Sequence, residues 1–246
     1  MITWKRTASA AALSLVALLA GCGGGDDDET PASPPPEPAP VASRPMELTI
    51  LHINDHHSNL DSKKKDLKLL NAAGSRVAVN DDIGGFPRVT AAFQALAAQA
   101  PNVLKLHAGD ATTGTLYFNR AGEPGEADAA LMNTVCFDAM TLGNHEFDKG
   151  DSGLKRFIEL LHAGTCQTPV LSANVTFGAN SALNPARTPG MVKPSIVLRR
   201  DDQPIGLVGL TIANKTQQSS SPTPARYSPT KPPPRSNRSM PCARRA

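Results

Sequence analysis

Three mainly apolar runs, each followed directly by acidic, imidazole or amide side chains, constrain the fold of this 246-residue chain more than any other feature. The runs are predicted to be buried strands: Leu48–Ile53, Asn102–Leu106 and Ala139–Leu142. The polar stretches that follow them are Asn54–His57, Gly109–Asp110 and Gly143–Asp148. Open α/β sheets bind ligands at the carboxyl ends of their strands. Oxygen and nitrogen donors without thiolates favour hard or borderline divalent metals, so the pattern predicts a two-metal site at this edge.

The remaining segments alternate between strand and helix patterns, which predicts an α/β fold with a mixed sheet. Gly84–Arg88 is expected to open a helix with an apolar face at 3.6-residue spacing, made of Val89, Ala92, Phe93, Leu96 and Ala97. Further predicted elements are helices at Glu126–Asn133 and Gly153–His162, a strand at Pro169–Asn174, and hairpin strands at Ser195–Arg199 and Ile205–Leu210. Asp61–Asp82 is polar and is predicted to be a surface insertion, in which the run Lys63–Lys65 is expected to be a solvated loop rather than a binding patch.

Residues 1–21 have the features of a targeting segment rather than of a folded element. Two basic residues precede the apolar stretch Ala8–Ala20, which is too short to span a bilayer as a stable helix. Leu19–Cys22 resembles a bacterial lipoprotein signal. It predicts export and a lipid anchor on Cys22 at the cell envelope, in the periplasm or at the outer membrane, with an ordinary secretory peptide as the alternative. Residues 22–45, rich in Gly, Asp and Pro, are predicted to be an extended tether.

The charge distribution argues against a nucleic-acid partner. The whole chain has a formal net charge of +3, but acidic residues outnumber basic ones between residues 22 and 222. The basic excess lies in the two ends of the chain, and the predicted folded part has no cluster of the kind that binds phosphate backbones.

Two cysteines, Cys136 and Cys166, flank the third predicted strand and the helix after it. An exported chain enters an oxidising compartment, where these two residues could form a disulfide. Two buried thiols are the alternative.

The spacing of the first two motifs suits metal chelation. Asp55 and His57 stand two residues apart, so in extended backbone their side chains point to the same side and can hold one ion. Asp110 follows a glycine in a tight turn, where its two oxygens could bridge two ions. His56 is predicted to face solvent or to lie behind the ligands, and His107 to touch the site without ligating.

The third motif supplies an amide ligand and an acid–base pair. Asn144 can ligate a metal through its carbonyl oxygen, and His145 would then lie beside the ions rather than on them. Asp148, three residues further on, is placed to fix the tautomer of the imidazole. Two divalent ions can clamp the attacking and leaving oxygens of a phosphoryl transfer, while His145 stabilises charge or protonates the leaving alkoxide.

The three motifs in this order resemble the calcineurin-like metallophosphoesterases. More narrowly, Leu-Thr-Ile-Leu-His-Ile-Asn-Asp-His-His, His-Ala-Gly-Asp and Leu-Gly-Asn-His-Glu-Phe-Asp are similar to motifs of the bacterial 5′-nucleotidase (UDP-sugar hydrolase) family. Val170–Val175 and Gly206–Ser221 are also similar, and the resemblance covers Glu47–Pro222. It implies a sandwich of mixed β-sheets flanked by helices, within a partial domain at residues 46–222.

The resemblance also implies a function and a role for each motif residue. Asp55 and His57 would bind the first metal, Asp110 would bridge, Asn144 would bind the second, and His145 with Asp148 would form the catalytic dyad. The implied activity is hydrolysis of nucleoside monophosphates and related phosphoesters by an exported enzyme with two divalent ions, for which manganese, zinc, magnesium and calcium all remain open. A separate C-terminal domain would hold the nucleoside.

The chain departs from the family pattern after the predicted hairpin. No histidine follows His162, whereas the family has further metal-binding histidines there. Thr223–Ala246 is rich in Pro, Arg and Ser without an acidic residue, and it could be an out-of-frame product, a natural disordered tail or a functional basic tail. We therefore expect a truncated form with impaired activity. A non-catalytic surface lipoprotein that binds a ligand, or an inactive gene relic, is the alternative.

Overall fold

A computed structural model describes residues 45–222 of the chain. The predicted signal segment, Cys22, the tether up to residue 44 and the tail from residue 223 lie outside the described residues. Within residues 45–222, no helix combines the length and apolar character needed to cross a membrane.

The centre of the fold is a five-stranded sheet in which every pair of neighbouring strands is parallel. In spatial order the strands are β1 (Thr49–Ile53), β4 (Val103–His107), β5 (Ala139–Thr141), β6 (Val170–Leu171) and β7 (Val192–Lys193). The first four coincide with predicted strands, and β7 was not predicted because a two-residue strand carries no periodic signal. Because all five run the same way, their carboxyl ends share one edge.

Three helices cover one face of this sheet and enclose the core: α1 (Phe86–Ala97), α3 (Glu126–Val135) and α4 (Gly150–Ala163). α4 presents Leu154, Phe157, Ile158 and Leu161 to the core, which is the spacing of one helical face. α1 begins after Gly85 with a proline in its first turn, as predicted. Its apolar face is narrower than predicted, since Phe93 is buried but Leu96 is 49% exposed.

Two antiparallel hairpins form sheets of their own. One pairs β2 (Ser62–Leu70) with β3 (Arg76–Gly84), and the other pairs β8 (Ser195–Arg200) with β9 (Gln203–Val208). The α/β class is confirmed, with the antiparallel strands lying outside the five-stranded parallel sheet instead of mixing with it. Asp61–Asp82 lies at the surface as predicted, but the prediction of a loop for Lys63–Lys65 was wrong, because this run lies in β2. Most residues on both faces of the β2–β3 hairpin are exposed, so its strands lack the apolar alternation that reveals a half-buried strand.

The shorter elements complete the described part of the fold. Two helices that the sequence did not predict are α2 (Leu116–Arg120) and α5 (Ala213–Ser219), and a short 3₁₀ helix spans His145–Phe147. The structure joins Cys136, at the end of α3, to Cys166, with Cα atoms 5.1 Å apart. This bond ties α3 to the segment after α4.

Candidate functional site

The loops that follow β1, β4 and β5 meet at the carboxyl edge of the sheet. Backbone hydrogen bonds continue the β1–β4 pairing beyond the strands. The N–H of Asp55 donates to the carbonyl oxygen of Gly109 at 2.9 Å, and the N–H of His57 donates to that of Asp110 at 3.2 Å. The first two motifs are thus held side by side by their main chains.

Both loops hold non-glycine residues in the left-handed region of backbone space. The φ angles are 51° at Asp55, 46° at His57, 50° at Ser58 and 52° at Asp110. Such conformations cost free energy and persist only where the surroundings impose them, which is common at functional sites. Local sequence patterns did not signal this, because they predicted extended backbone after β1.

Two glycines let the second and third loops touch. A Cβ atom on Gly109 would lie 2.6 Å from the backbone nitrogen of Gly143, and one on Gly143 would collide with the carboxylate of Asp110. Gly109 also has a φ of 96°, which disfavours any L side chain. These glycines bring Asp110 against the segment that carries His145, and its Oδ1 accepts a hydrogen bond from the N–H of His145 at 2.8 Å.

Three side chains form a candidate metal centre. His57, Asp110 and His145 each offer a ligand atom, and these atoms all lie within 4.8 Å of one another. The rings of His57 and His145 meet edge to face with centroids 4.7 Å apart. An oxygen and nitrogen donor set with this convergence fits a divalent cation. His145 was predicted beside the ions, and the structure places one of its nitrogens in the same cluster.

Asp55 and Asn144 lie next to this centre. The Asp55 side chain is 54% exposed, with Oδ1 3.6 Å from Nε2 of His57. A hydrogen bond from Asn54 lowers the pKa of Asp55, burial opposes this, and His57 and Asp110 lower the pKa further. Asn144 is buried, and its amide nitrogen donates to Ser220 Oγ at 3.4 Å, so its carbonyl oxygen is the atom that an ion could use.

His145 and Asp148 form a close pair. Nδ1 of His145 lies 2.7 Å from Oδ2 of Asp148 and 3.2 Å from the hydroxyl of Thr113. Burial acts to lower the pKa of His145, but the hydrogen bond and charge of Asp148, with the charges of Asp110 and Glu146, outweigh it and raise the pKa. With Nδ1 engaged by the carboxylate, Nε2 is the nitrogen left for the cluster or a substrate.

Glu146 is a buried residue to which the sequence assigned no role. Its two oxygens accept hydrogen bonds from the N–H groups of Asp110 at 3.0 Å, Ala111 at 2.7 Å and Gly143 at 2.7 Å. Burial and the charge of Asp110 raise its pKa to about 7, against the lowering effect of these backbone donors. Glu146 thus fastens the second loop to the third. The sequence feature that could have indicated its burial is the position of this carboxylate between the apolar residues Leu142 and Phe147.

The chain is similar to known phosphoesterases. The family model described as calcineurin-like phosphoesterase matches residues 48–185. A probable 5′-nucleotidase of Treponema pallidum is 46% identical over 176 residues, which are 72% of this chain and 27% of that protein. An NAD 5′-nucleotidase of Haemophilus influenzae is 46% identical over 184 residues, which are 75% of this chain and 28% of that protein.

Solved structures show the same likeness. The Haemophilus influenzae NAD nucleotidase has a TM-score of 0.62 at 44% identity, covering 73% of this chain and 29% of that one. A 5′-nucleotidase precursor from Thermus thermophilus has a TM-score of 0.57 at 36% identity, covering 73% and 31%. The chain therefore spans less than a third of the length of these relatives. The family match covers more than half of the chain, and the three motif loops lie within it, so the chain belongs to the calcineurin-like phosphoesterase family, with relatives of 5′-nucleotidase type.

Proposed function

We propose that this chain carries the metal-binding and acid–base part of a 5′-nucleotidase-type phosphoesterase, which hydrolyses the phosphoester of nucleotides. One observation carries the proposal: the donor atoms of His57, Asp110 and His145 converge beside the His145–Asp148 pair. A purely structural polar turn does not require a second imidazole, oriented by its own carboxylate, at the same point.

In this proposal Asp55 and His57 would hold one divalent ion, Asp110 would be shared between two ions, and Asn144 would contribute to the second. When bound, the ions lower the pKa of an attacking water and stabilise negative charge on the phosphoryl oxygens. The donors are compatible with manganese, zinc, magnesium or calcium. The side chains of Asp55 and His57 are 54% and 28% exposed, so a substrate phosphate can reach this part of the cluster.

His145 and Asp148 handle the proton and the charge of the substrate. Because Asp148 accepts from Nδ1 and raises the pKa of the ring, His145 is favoured in its protonated form. Nε2–H can then donate to a phosphoryl oxygen or give its proton to the leaving alkoxide. Asp148 holds the ring orientation and stabilises the imidazolium while the proton is in place.

The substrate class comes from the relatives. A probable 5′-nucleotidase and an NAD 5′-nucleotidase are similar to this chain over 176 and 184 residues. We infer a nucleotide phosphoester as the substrate and no nucleic-acid partner.

The N-terminal sequence motivates a proposal about location. We infer that the chain is exported and anchored at the cell envelope through lipidated Cys22, since Leu19–Cys22 resembles a lipoprotein signal. In a bacterial host, the protein should partition into the detergent phase of a phase-separating detergent, and Cys22→Ser should move it to the aqueous phase. Aqueous partitioning of the unsubstituted protein would contradict the anchor.

The activity is tested by phosphate release from nucleoside 5′-monophosphates by the purified full chain. We expect hydrolysis to require added Mn²⁺ or Zn²⁺, to stop with chelator, and to fall by about 10²–10⁴-fold in kcat with His145→Ala. His162→Ala is the matched control, because Nε2 of that histidine contacts the carbonyl oxygen of Thr168 at 2.9 Å, outside the site. The impaired activity expected from the sequence remains a prediction for the same assay. Tight ligand binding without turnover in a metal-replete sample would favour the binding-module alternative, and turnover unaffected by His145→Ala would contradict the dyad.

A further inference from the structure

His56, which stands between the proposed ligands Asp55 and His57, turns its ring away from them and into the protein. Its side chain is 9% exposed. The ring packs edge to face on Phe86, with centroids 5.1 Å apart. Its Nδ1 lies 2.9 Å from Nε2 of His107, and its Nε2 lies 3.2 Å from Oδ1 of Asp128. The residue between the two proposed ligands therefore makes buried contacts behind the site.

The hydrogen bonds determine which ring nitrogens of His107 and His56 carry protons. The N–H of Gly109 donates to Nδ1 of His107 at 3.1 Å, so that nitrogen has a free lone pair. The proton of neutral His107 is then on Nε2 and donates to Nδ1 of His56. His56 in turn carries its proton on Nε2 and donates to Asp128, whose second oxygen accepts from the Ser58 hydroxyl at 3.0 Å. Each donor in the series has one acceptor, and donation runs from Gly109 through His107 and His56 to Asp128.

The partners in this chain of hydrogen bonds are inaccessible to water. His107 is 1% exposed, and Asp128 and Ser58 are 0% exposed. A buried group that loses its partner here cannot be rescued by solvent, so the network is stable only when complete. Asp128 lies in the first turn of α3, where the helix dipole favours a carboxylate. The network is therefore anchored on a core helix.

The network connects two different ligand loops. In the first loop His56 lies between Asp55 and His57 in the sequence, and in the second Gly109 directly precedes Asp110. Both loops hold strained left-handed backbone, which needs support from its surroundings. A rotation of the His56 ring would break its bonds to His107 and Asp128 and release both neighbouring ligands.

We propose that Asp128, His56 and His107 form a positioning relay that sets the metal affinity of the adjacent loops by holding the His56 ring in one tautomer and one orientation. This inference rests on the proposed function, because it takes Asp55, His57 and Asp110 as metal ligands. None of the three relay residues belongs to the proposed ligand set or to the metal cluster of His57, Asp110 and His145. They act through the backbone of the ligand loops.

The relay is tested by titrating the metal-free full chain with Mn²⁺ and following the free ion by electron paramagnetic resonance. Asp128→Leu removes the acceptor and should weaken Mn²⁺ binding by about 10–100-fold, the range seen when groups behind metal ligands are lost. Asp128→Asn keeps an acceptor oxygen for His56 and should restore most of the affinity. Asp138→Asn is the matched control: that aspartate accepts from the N–H of Lys105 at 2.8 Å at the opposite edge of the sheet, and its change should leave the affinity unaltered.

A second measurement uses the unsubstituted protein and does not depend on the folding of a variant. Two-bond ¹H–¹⁵N correlation spectra of the histidine rings should show His56 and His107 as neutral Nε2–H tautomers. A His56 proton on Nδ1, or a folded Asp128→Leu protein with unchanged Mn²⁺ affinity, would overturn the relay alone. An unsubstituted chain that binds no Mn²⁺ would overturn the proposed function, and the relay with it.

Discussion

The ligand loops and the β2–β3 hairpin both contain many charged side chains, but these side chains differ in their exposure to solvent. At the end of the hairpin, Asp82 of β3 pairs with Arg88 of α1 at 2.8 Å, and the side chains of Arg88 and Asp82 stay 55% and 40% exposed. In the loops, Glu146 is 4% exposed and accepts several hydrogen bonds from backbone N–H groups. Asp128, which lies behind the loops in α3, is 0% exposed and accepts from His56 and Ser58. Charge density alone does not distinguish a site from a solvated surface. Burial against fixed donors does.

The physical reason lies in desolvation. The charges of an exposed ion pair are well hydrated whether or not they are paired, so the pair contributes little to the free energy of unfolding. A carboxylate buried against backbone N–H groups has lost its water, and each of those donors has lost its water too. Removing the carboxylate therefore leaves several buried groups unpaired at once. The comparison predicts large effects in the loops and small ones in the hairpin.

The largest effect is expected for Glu146→Leu, which leaves the N–H groups of Asp110, Ala111 and Gly143 without an acceptor. At about 1–3 kcal/mol for each orphaned donor, the free energy of unfolding should fall by at least about 3 kcal/mol. Urea denaturation followed by circular dichroism measures this. Glu146→Gln keeps an acceptor oxygen and should lose less. Equal stability of the leucine variant and the original chain would remove the distinction between the two regions.

An intermediate effect is expected for His107, whose pKa burial lowers to about 3 with help from the neighbouring His56. The unfolded chain takes up a proton near pH 6.5, whereas the folded chain does not until about pH 3. His107 therefore contributes full stability above pH 6.5, and this is lost as the pH falls, by up to about 1.4 kcal/mol per pH unit.

This pH dependence is isolated by comparing the unsubstituted chain with His107→Phe, which packs a ring of similar shape beside Phe137. We expect the difference in unfolding free energy between the two proteins to shrink as the pH is lowered from 7 to 4.5. A difference that is constant across this range would show that His107 is not held neutral by the fold.

The smallest effect is expected for Arg88→Ala, which removes the α1 partner of Asp82 in the hairpin. Its guanidinium lies on the surface, and loss of the pair with Asp82 should leave both the denaturation midpoint and the Mn²⁺ affinity unchanged within error. The same titration and urea series used for the loop variants measures both quantities. A loss of metal affinity here would mean that the hairpin supports the site, and the contrast between the regions would fail.

Several features of the site could be predicted from local sequence. Each donor motif follows an apolar run, and the strands Thr49–Ile53, Val103–His107 and Ala139–Thr141 lie where these runs predicted them. The three-residue spacing of His145 and Asp148 also predicted their pairing, because residues three apart face each other on a helical turn. Parallel strands then bring the motifs to one edge.

Other features could not be read from spacing. The β2–β3 hairpin gave no alternating pattern, because most residues on both of its faces are solvated. The sequence assigned no role to Glu146, whose hydrogen bonds run to residues as far as 36 positions away. A local motif does not reveal whether residues distant in the sequence will bury one of its side chains and exclude water from that side chain.

The sequence by itself determined the α/β class and the delivery of the donor motifs to the carboxyl ends of parallel strands, because strand periodicity and chain direction are local properties. Only the tertiary structure decided which buried groups complete the site. His56 meets His107 across 51 positions and Asp128 across 72, and Gly109 meets Gly143 in the absence of any Cβ. Satisfying a buried donor needs an acceptor at about 3 Å in space, and sequence separation says nothing about that distance.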